Sequence, residues 1–297
     1  MRLLLDSMSK NSSPIKVRVG QIEFLKLNAK ERDIRDLYHW TLMLSWPQFA
    51  ALILTLYVAI NFIFSLFYYL GRPCIAGADS FADAFFFSVE TLATVGYGHF
   101  YPDSLYGHFV ATAEIMVGMF GMAVITGLIF IRFSRPTARL VFSRNLVVGP
   151  FDGRPALMMR VANLRHHAMA EAEFRLMFIR NELVKEGEQM RRFYPLALQF
   201  DRLITFPVAL TIRHIIDEKS PLFGLTPEDL KKCDARVLAS IVCIDTVIPA
   251  PVQSQQDYMW HDIHFGMRFV EIYTDIDDHS MAVDYGRLDE IEPVPQA

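Results

Sequence analysis

The segment Thr94-Val95-Gly96-Tyr97-Gly98 decides the fold, because it lies between two long hydrophobic runs and directly follows a shorter one. Gly96 and Gly98 alternate with larger residues. Glycine adopts left-handed backbone angles at little cost, whereas other residues rarely do. We therefore predict a narrow, non-helical loop whose successive carbonyl groups point at one axis.

The residues immediately before this loop, 80–93 (SFADAFFFSVETLA), have a helical pattern. Ser80 with Asp83 resembles a capping box, which marks a helix start. A helix of this length rises only about 21 Å, which is too short to cross a bilayer core of about 30 Å. Irregular backbone at membrane depth is tolerated where it is buried in protein or lines an aqueous cavity. We predict a re-entrant pore helix.

Two runs long enough to span a membrane flank this element. Residues 46–70 contain no charge, and residues 105–131 contain one acid, Glu114. Glu114 lies near the outer end of its run, where it either has a function or braces the pore helix. Before the first run, residues 33–45 carry apolar side chains at helical spacing. They predict an interfacial slide helix, with a helix on a soluble core as the alternative.

Basic residues are distributed unequally around the two runs. Eight occur in residues 1–45, but residues 71–104 contain only Arg72. Arg132, Arg135 and Arg139 follow the second run. The positive-inside rule predicts that both termini are cytoplasmic. We expect a multi-pass protein of the inner (plasma) membrane.

The chain after the second run has the pattern of a water-soluble β domain. Apolar residues alternate at Phe174, Leu176 and Phe178, and β-like runs occur at residues 156–161, 237–244 and 268–273. These features predict an all-β sandwich. The predicted domains are therefore an N-terminal cytoplasmic segment (1–32), the slide helix (33–45), a transmembrane pore domain (46–135) and a cytoplasmic domain (136–297).

Composition excludes several functions. The net charge of −4 gives no case for nucleic-acid binding, and three cysteines without a CxxC pair argue against a disulfide scaffold or zinc site. His261 and His264 are more typical of a surface than of a metal site. We find no nucleophile paired with a base, so we expect neither an enzyme nor a cofactor.

The predicted loop has the chemistry of a potassium filter. A K⁺ ion that enters a narrow pore loses its water shell, and rings of backbone carbonyl oxygens can replace it. Thr94, Val95, Gly96 and Tyr97 would supply the carbonyls, and Thr94 would add a hydroxyl. One chain forms only one wall, so we expect a homotetramer. The alternative is a chance occurrence of this sequence in an extracellular loop.

Three stretches of the chain resemble the inward-rectifier potassium channels, particularly their bacterial members. They are SVETLATVGYG (88–98), FIRFSRP (130–136) and FDGRPALMMRVANLR (151–165), within a resemblance that covers about residues 33–290. The resemblance implies passive K⁺ conduction through a tetramer with an immunoglobulin-like cytoplasmic domain.

The resemblance also implies roles for individual residues in the second span. Phe130 falls where the family's helices converge at the inner mouth and is a candidate gate, with helix packing as the alternative. Met122 faces the cavity on the matching register, and Gly118 is a candidate hinge. Met122 stands where strongly rectifying members carry an acid that holds Mg²⁺ or polyamine blockers, so we expect weak rectification.

Two further departures from the family concern the filter support and the lipid site. Glu90 matches a glutamate that pairs with an arginine, but Phe100 occupies the arginine's position. Glu90 therefore supports the filter through another partner or is only a capping or water-bound group. At the lipid site, lipid-activated members carry basic residues on both sides of the tryptophan that begins the first span, but here Ser45 and Pro47 flank Trp46, and Thr137 and Ala138 thin the basic cluster. The remaining Arg132, Arg135 and Arg139 predict binding of anionic lipids that modulate gating, although these arginines could serve topology alone.

A rival interpretation is a pore-loop subunit whose soluble domain senses a ligand and whose conduction is secondary. A membrane-tethered enzyme is a third class, and no catalytic constellation supports it.

Overall fold

The computed structural model describes residues 15–19, 22–26, 37–134 and 136–295. The predicted N-terminal segment therefore lies largely outside the described residues, as do residues 33–36 of the predicted slide helix, and Arg135 lies outside them too. The chain divides into two compact units. One lies within residues 30–135, and the other combines residues 136–295 with the strand pair β1–β2.

The first unit consists of helices that the sequence pattern dictates. The strand pair of the other unit comes first in the chain and consists of β1 (Ile15–Val19) and β2 (Ile22–Lys26). The first unit contains α1 (Leu37–Met43), α2 (Trp46–Leu70), β3 (Ile75–Ala76), α3 (Phe81–Leu92), β4 (Tyr101–Pro102) and α4 (Leu105–Phe133). Among the described residues, α2 and α4 are the helices long and apolar enough to cross a membrane. Each begins after a serine N-cap, Ser45 or Ser104, in extended backbone.

The helix α1 lies within the predicted slide helix of residues 33–45 and ends two residues before its predicted C-terminal end. The helix α1 stops at Met43, because Ser45 adopts extended backbone angles to cap α2. The Ser45 N–H donates to Gln48 Oε1 at 2.9 Å, which anchors the start of α2. Residues 44 and 45 therefore form a corner between two helices and do not extend the first.

The second unit is a sandwich of two sheets. Its elements are β5 (Leu140–Phe142), β6 (Leu146–Phe151), β7 (Arg154–Asn163), β8 (Met169–Leu183), β9 (Gln189–Leu196), β10 (Arg202–Phe206), β11 (Ala209–Ile215), α5 (Pro227–Lys232), β12 (Arg236–Asp245), β13 (Ala250–Met259), β14 (Ile263–Phe265), β15 (Met267–Phe269), β16 (Tyr273–Asp277), β17 (Ser280–Val283) and β18 (Ile291–Pro293). One sheet has the order β10-β8-β12-β13, with β9 also paired to β8. The other has the order β11-β7-β6-β14, with β5 paired to β7.

The core lies between these two sheets, and strand alternation explains it. Phe174 and Phe178 of β8 point inward, together with Leu157 and Val161 of β7 and Val237 of β12. All are almost fully buried. Within the two large sheets the pairing is antiparallel except for β14, which runs parallel to β6 and pairs Ile263 with Leu146.

The predicted strand over residues 268–273 is interrupted, because the chain leaves the ladder between Phe269 and Tyr273. β15 ends at Phe269 and β16 begins at Tyr273. Between them, the Val270 carbonyl accepts from the buried Arg160 guanidinium, and the Ile272 N–H donates to Glu271 Oε1. Side chains therefore satisfy these backbone groups where a neighbouring strand would otherwise do so.

One buried histidine makes the stability of this unit depend on pH. His214 Nδ1 lies 2.7 Å from the Ala197 carbonyl oxygen, and Nε2 lies 2.8 Å from Ser220 Oγ. Burial lowers the pKa of His214, and the hydrogen bond to Ala197 opposes this only in part. The neutral ring satisfies both contacts, with Nδ1 donating and Nε2 accepting the Ser220 hydroxyl proton.

Candidate functional site

The helix α3 leads into the loop and has a well-defined start. The Asp83 N–H donates to Ser80 Oγ at 3.1 Å, and the Ser80 N–H donates to Asp83 Oδ2 at 2.8 Å, as the capping box requires. The helix ends after Leu92. Two backbone N–H groups of the following residues donate back to its last turn, Thr94 to the Thr91 oxygen and Val95 to the Glu90 oxygen at 2.8 Å.

The loop backbone alternates in handedness along its length. Thr94, Gly96 and Gly98 have φ values of +57°, +59° and +81°, whereas Val95 and Tyr97 have negative φ. Alternation of this kind turns successive peptide planes so that their carbonyl groups can lie on one side. The left-handed angle at Thr94 was not predicted, since a β-branched residue rarely adopts it.

The loop of residues 94–98 is exposed in the single chain, and a cavity lies beside it. Tyr97 is 76% exposed, and Val95 is half exposed. The cavity has a volume of about 530 Å³, and its lining includes Glu90, Thr94 and His108. A single chain therefore offers one open wall at the loop.

Phe100 does not act as a counter-charge to Glu90. Its ring packs against the apolar cluster that contains Tyr68, Cys74 and Phe87. Within the described part of the chain, the half-buried Glu90 carboxylate makes no hydrogen bond. Glu90 contributes its backbone oxygen to the loop, as the acceptor of the Val95 N–H.

Glu114 links three helices of the pore domain and is completely buried. Tyr68 of α2 donates its hydroxyl to Glu114 Oε2 at 2.7 Å, and Ser88 of α3 donates to Glu114 Oε1. Ser88 Oγ also lies 3.1 Å from Asn61 Oδ1. The carboxyl group of α4 therefore braces α3 against both spans, which is one of the two roles expected from the sequence.

Gly118 occupies a position of close helix contact. A Cβ atom placed on it would lie 2.4 Å from the carbonyl oxygen of Leu92, the last residue of α3. The helix α4 continues without interruption past this point. A Cβ atom on Gly121, one turn later, would meet nothing within 4 Å. Gly118 thus permits α4 to approach the end of the pore helix, whereas its predicted role as a hinge stays a prediction.

The two residues predicted for the cavity and gate lie in the second half of α4. Met122 is 64% exposed and Phe130 is 70% exposed in the single chain. Both side chains are available to face a pore axis, a neighbouring subunit or lipid.

The predicted lipid cluster is divided by the structure. Arg139 is exposed, and Arg135 lies outside the described residues. Arg132 is engaged by protein atoms: Nη1 donates to the Thr41 oxygen at 2.9 Å, and Nη2 donates to the Leu44 oxygen at 2.8 Å. These acceptors could not be predicted from the sequence, because every residue has a main-chain carbonyl and the sequence does not show which of them Arg132 contacts.

His261 and His264, both in the second unit, have separate neighbours. His261 lies 3.5 Å from Asp262 Oδ1, and His264 lies 3.3 Å from Asn145 Oδ1. Across the described ranges, no three His, Cys, Asp or Glu side chains are arranged to hold a metal ion.

Comparison with known proteins gives extensive matches. A family model described as an ion channel matches residues 52–135, and the model of the inward rectifier potassium channel C-terminal domain matches residues 140–297. The inward rectifier potassium channel Kirbac3.1 of Paramagnetospirillum magnetotacticum is 38% identical over 275 residues, which cover 92% of this chain and 93% of that protein. Inward rectifier potassium channel 18 of Homo sapiens is 32% identical over 237 residues, or 75% of this chain and 53% of that protein.

Among solved structures, the sporulation control protein Spo0M of Bacillus subtilis overlaps 46% of this chain and 59% of its own, with a TM-score of 0.25 and 10% identity. That overlap is too weak to indicate a shared fold.

Proposed function

Because the chain belongs to the inward-rectifier potassium channel family, we propose that it is one subunit of a tetrameric membrane pore that conducts K⁺ passively. Membership confirms the predicted fold class, a two-span pore domain with a β-rich cytoplasmic domain. It also confirms that the protein is a membrane channel of a non-enzyme family.

The alternating backbone at Thr94, Gly96 and Gly98 is the observation that carries this proposal. The carbonyl oxygens of Thr94, Val95, Gly96 and Tyr97, with the Thr94 hydroxyl, would replace the water shell of K⁺. The C-terminal end of α3 points its negative dipole toward the same region and favours a cation there.

Two features of the single chain, its one-sided filter loop and its exposed loop side chains, support a tetramer. A single wall of carbonyls cannot surround an ion, and the exposed Tyr97 and Val95 need apolar neighbours. Four subunits around one axis would surround the ion with carbonyls and would give Tyr97 and Val95 apolar neighbours. We propose that the protein lies in the inner (plasma) membrane. Both termini would be in the cytoplasm, because basic residues concentrate before the first span and after the second.

In this pore, Met122 would face the cavity and four Phe130 rings would close the inner mouth by excluding water, with Gly118 as the hinge between filter and gate. Anionic lipids would modulate gating through the exposed Arg139 and through Arg135. Arg132, the third member of that predicted cluster, has its guanidinium engaged by backbone carbonyls. Glu90 would support the filter through its backbone oxygen.

K⁺ flux into liposomes, with Na⁺ as the competing ion, tests the proposal. We expect wild-type protein to prefer K⁺ strongly and Gly96→Ser to lose that preference, because a side chain is strained at a φ of +59°. Gly153→Ser is the matched control: Gly153 has a φ of +71° and equally open surroundings, but it lies in a cytoplasmic turn.

A Gly96→Ser protein that keeps the wild-type K⁺/Na⁺ ratio would refute the filter assignment. Absence of K⁺-selective flux in wild-type protein would favour the sensing role over conduction.

Weak rectification is tested in planar bilayers with a polyamine on the cytoplasmic side. Met122 is neutral, so we expect little block of the wild type by cytoplasmic polyamine. Four acids around one axis form a strong cation trap, and Met122→Asp is therefore expected to produce block at positive potentials. Strong wild-type block that disappears in Glu114→Gln would contradict the assignment to Met122.

A further inference from the structure

Arg132 joins the inner end of α4 to the corner between α1 and α2. Its two terminal nitrogens donate to the carbonyl oxygens of Thr41 and Leu44 at 2.9 and 2.8 Å. Its guanidinium carbon lies 4.7 Å from the centre of the Trp46 ring and 4.5 Å from that of Phe49. The guanidinium is therefore bonded at its edge and covered by aromatic rings.

This arrangement supplies what α1 lacks. The last four carbonyl groups of a helix have no partner within it, and a cation near them is favourable. The last turn of α1 contains no basic residue, and Arg132 provides the charge from 91 residues away in sequence. Neither α1 nor α2 contains an acidic residue, so on these two helices the charge interacts with carbonyl dipoles and rings.

The guanidinium group suits this position better than an ammonium group would. Its planar fork presents donors in fixed directions, so that two carbonyl oxygens are bound at once while the faces stack on rings. Its Nε is buried and has no hydrogen-bond partner among the described residues. A second contact crosses the same corner, since the rings of Trp46 and Phe133 lie 4.9 Å apart.

We propose that Arg132 is a positioning residue: it caps α1 and fixes the inner end of α4, and thereby sets the aperture at Phe130. Arg132 is then not a ligand of lipid headgroups, and lipid binding is left to Arg135 and the exposed Arg139. This inference rests on the proposed channel function and on Phe130 as the constriction. Phe130 is two residues before Arg132, so a displacement of the capped end displaces the gate ring.

The experiment compares Arg132→Lys, Arg132→Gln and the control Arg154→Gln, at an exposed arginine of β7, by K⁺ flux into liposomes with and without anionic lipid. Lysine keeps the charge that a phosphate headgroup needs but loses the fork. We expect both Arg132 variants to change basal flux in the same direction by about tenfold, the equivalent of one charge-assisted hydrogen bond. Arg154→Gln is expected to stay within about twofold of the wild-type flux, as is usual for a substitution of an exposed side chain.

The link to the gate is tested by combination with Phe130→Ala. If Arg132 acts through the Phe130 ring, Arg132→Lys has less than about a twofold effect in that background. Phe49→Leu, which removes one ring from the guanidinium and keeps apolar packing, is a second variant in case the Arg132 variants fold poorly. We expect it to change flux in the same direction as Arg132→Lys, and wild-type flux would overturn the proposal.

Trp46 fluorescence reports the contact independently of conduction, in protein whose other tryptophans, Trp40 and Trp260, are replaced by phenylalanine. We expect Arg132→Lys to shift the Trp46 emission. Unchanged emission, wild-type flux in Arg132→Lys, or an equal effect in the Phe130→Ala background would each overturn the inference. Absence of K⁺-selective flux in wild-type protein would instead refute the channel function, and the Trp46 result would still decide whether the cap exists.

Discussion

Removal of the Glu114 carboxyl group tests the brace between the three pore-domain helices. In Glu114→Ala, the Tyr68 hydroxyl loses its acceptor in a buried site, and Ser88 keeps only its contacts to Asn61. An unpaired buried hydroxyl costs about 1–3 kcal/mol. With the packing lost at a fully buried position, we expect Glu114→Ala to lower the free energy of unfolding by about 2–4 kcal/mol.

Glu114→Gln is the informative comparison. Glutamine keeps the shape and one acceptor oxygen, and the hydroxyl next to its amide can accept a hydrogen bond from it. We therefore expect a loss of only about 1 kcal/mol. Glu90→Gln is the control, because the Glu90 carboxylate makes no hydrogen bond within the described residues, and its unfolding free energy is expected to stay within about 0.5 kcal/mol of wild type.

The measurement is unfolding by SDS in mixed micelles, followed by tryptophan fluorescence, with the K⁺/Na⁺ flux ratio determined in parallel. The order of stability expected is wild type, then Glu114→Gln, then Glu114→Ala. Equal losses for the two Glu114 variants would refute the hydrogen-bond argument, because the glutamine retains partners that alanine lacks. A stable Glu114→Ala protein would show that the brace contributes nothing.

Two further predictions have matched controls. Gly118→Ala places a methyl group 2.4 Å from the Leu92 oxygen, so we expect the end of α3 to shift and K⁺ selectivity to fall, whereas Gly121→Ala leaves the flux ratio unchanged. The pKa of His214 is lowered in the folded state, which therefore binds fewer protons than the unfolded chain; stability is full above about pH 6.5 and is lost as pH falls below it. The free energy of unfolding is measured against pH by urea in detergent, with Trp260 fluorescence as the signal and the other tryptophans replaced. We expect the control His261→Gln to lose stability below about pH 6.5 as the wild type does, and His214→Gln to depend less on pH.

The parts of the fold that local patterns determine could be predicted from the sequence. The helix α2 has the bounds predicted for the first span, Trp46–Leu70, and α3 begins at the Ser80–Asp83 capping box. These features depend on side chains close together in the chain. The β-sandwich was predicted in the same way, from the alternation of apolar and polar residues in segments such as the one that contains Phe174.

The contacts that assemble the site could not be predicted, since they join distant positions. Arg132 binds carbonyls 88 and 91 residues earlier, and Ser88 reaches Glu114 across two helices. Periodicity carries no information about such pairs. Glu114 could be selected from the sequence because it is an ionisable residue inside a span, but its partners could not be predicted. The left-handed backbone angle at Thr94 is unusual for a β-branched residue, so it was not predicted. The Thr94 and Val95 N–H groups hold it by hydrogen bonds to the last turn of α3.

The parallel pairing of β14 with β6 has a consequence for biosynthesis. Leu146 and Ile263 are more than a hundred residues apart, so the sheet β11-β7-β6-β14 cannot close until nearly the whole chain has left the ribosome. Contacts of such long sequence separation form slowly, and incomplete sheets expose unpaired edges. Both spans precede β6 and can enter the bilayer while the β domain is still incomplete. A nascent chain stopped before residue 263 would therefore hold an inserted pore domain beside an open, aggregation-prone sheet.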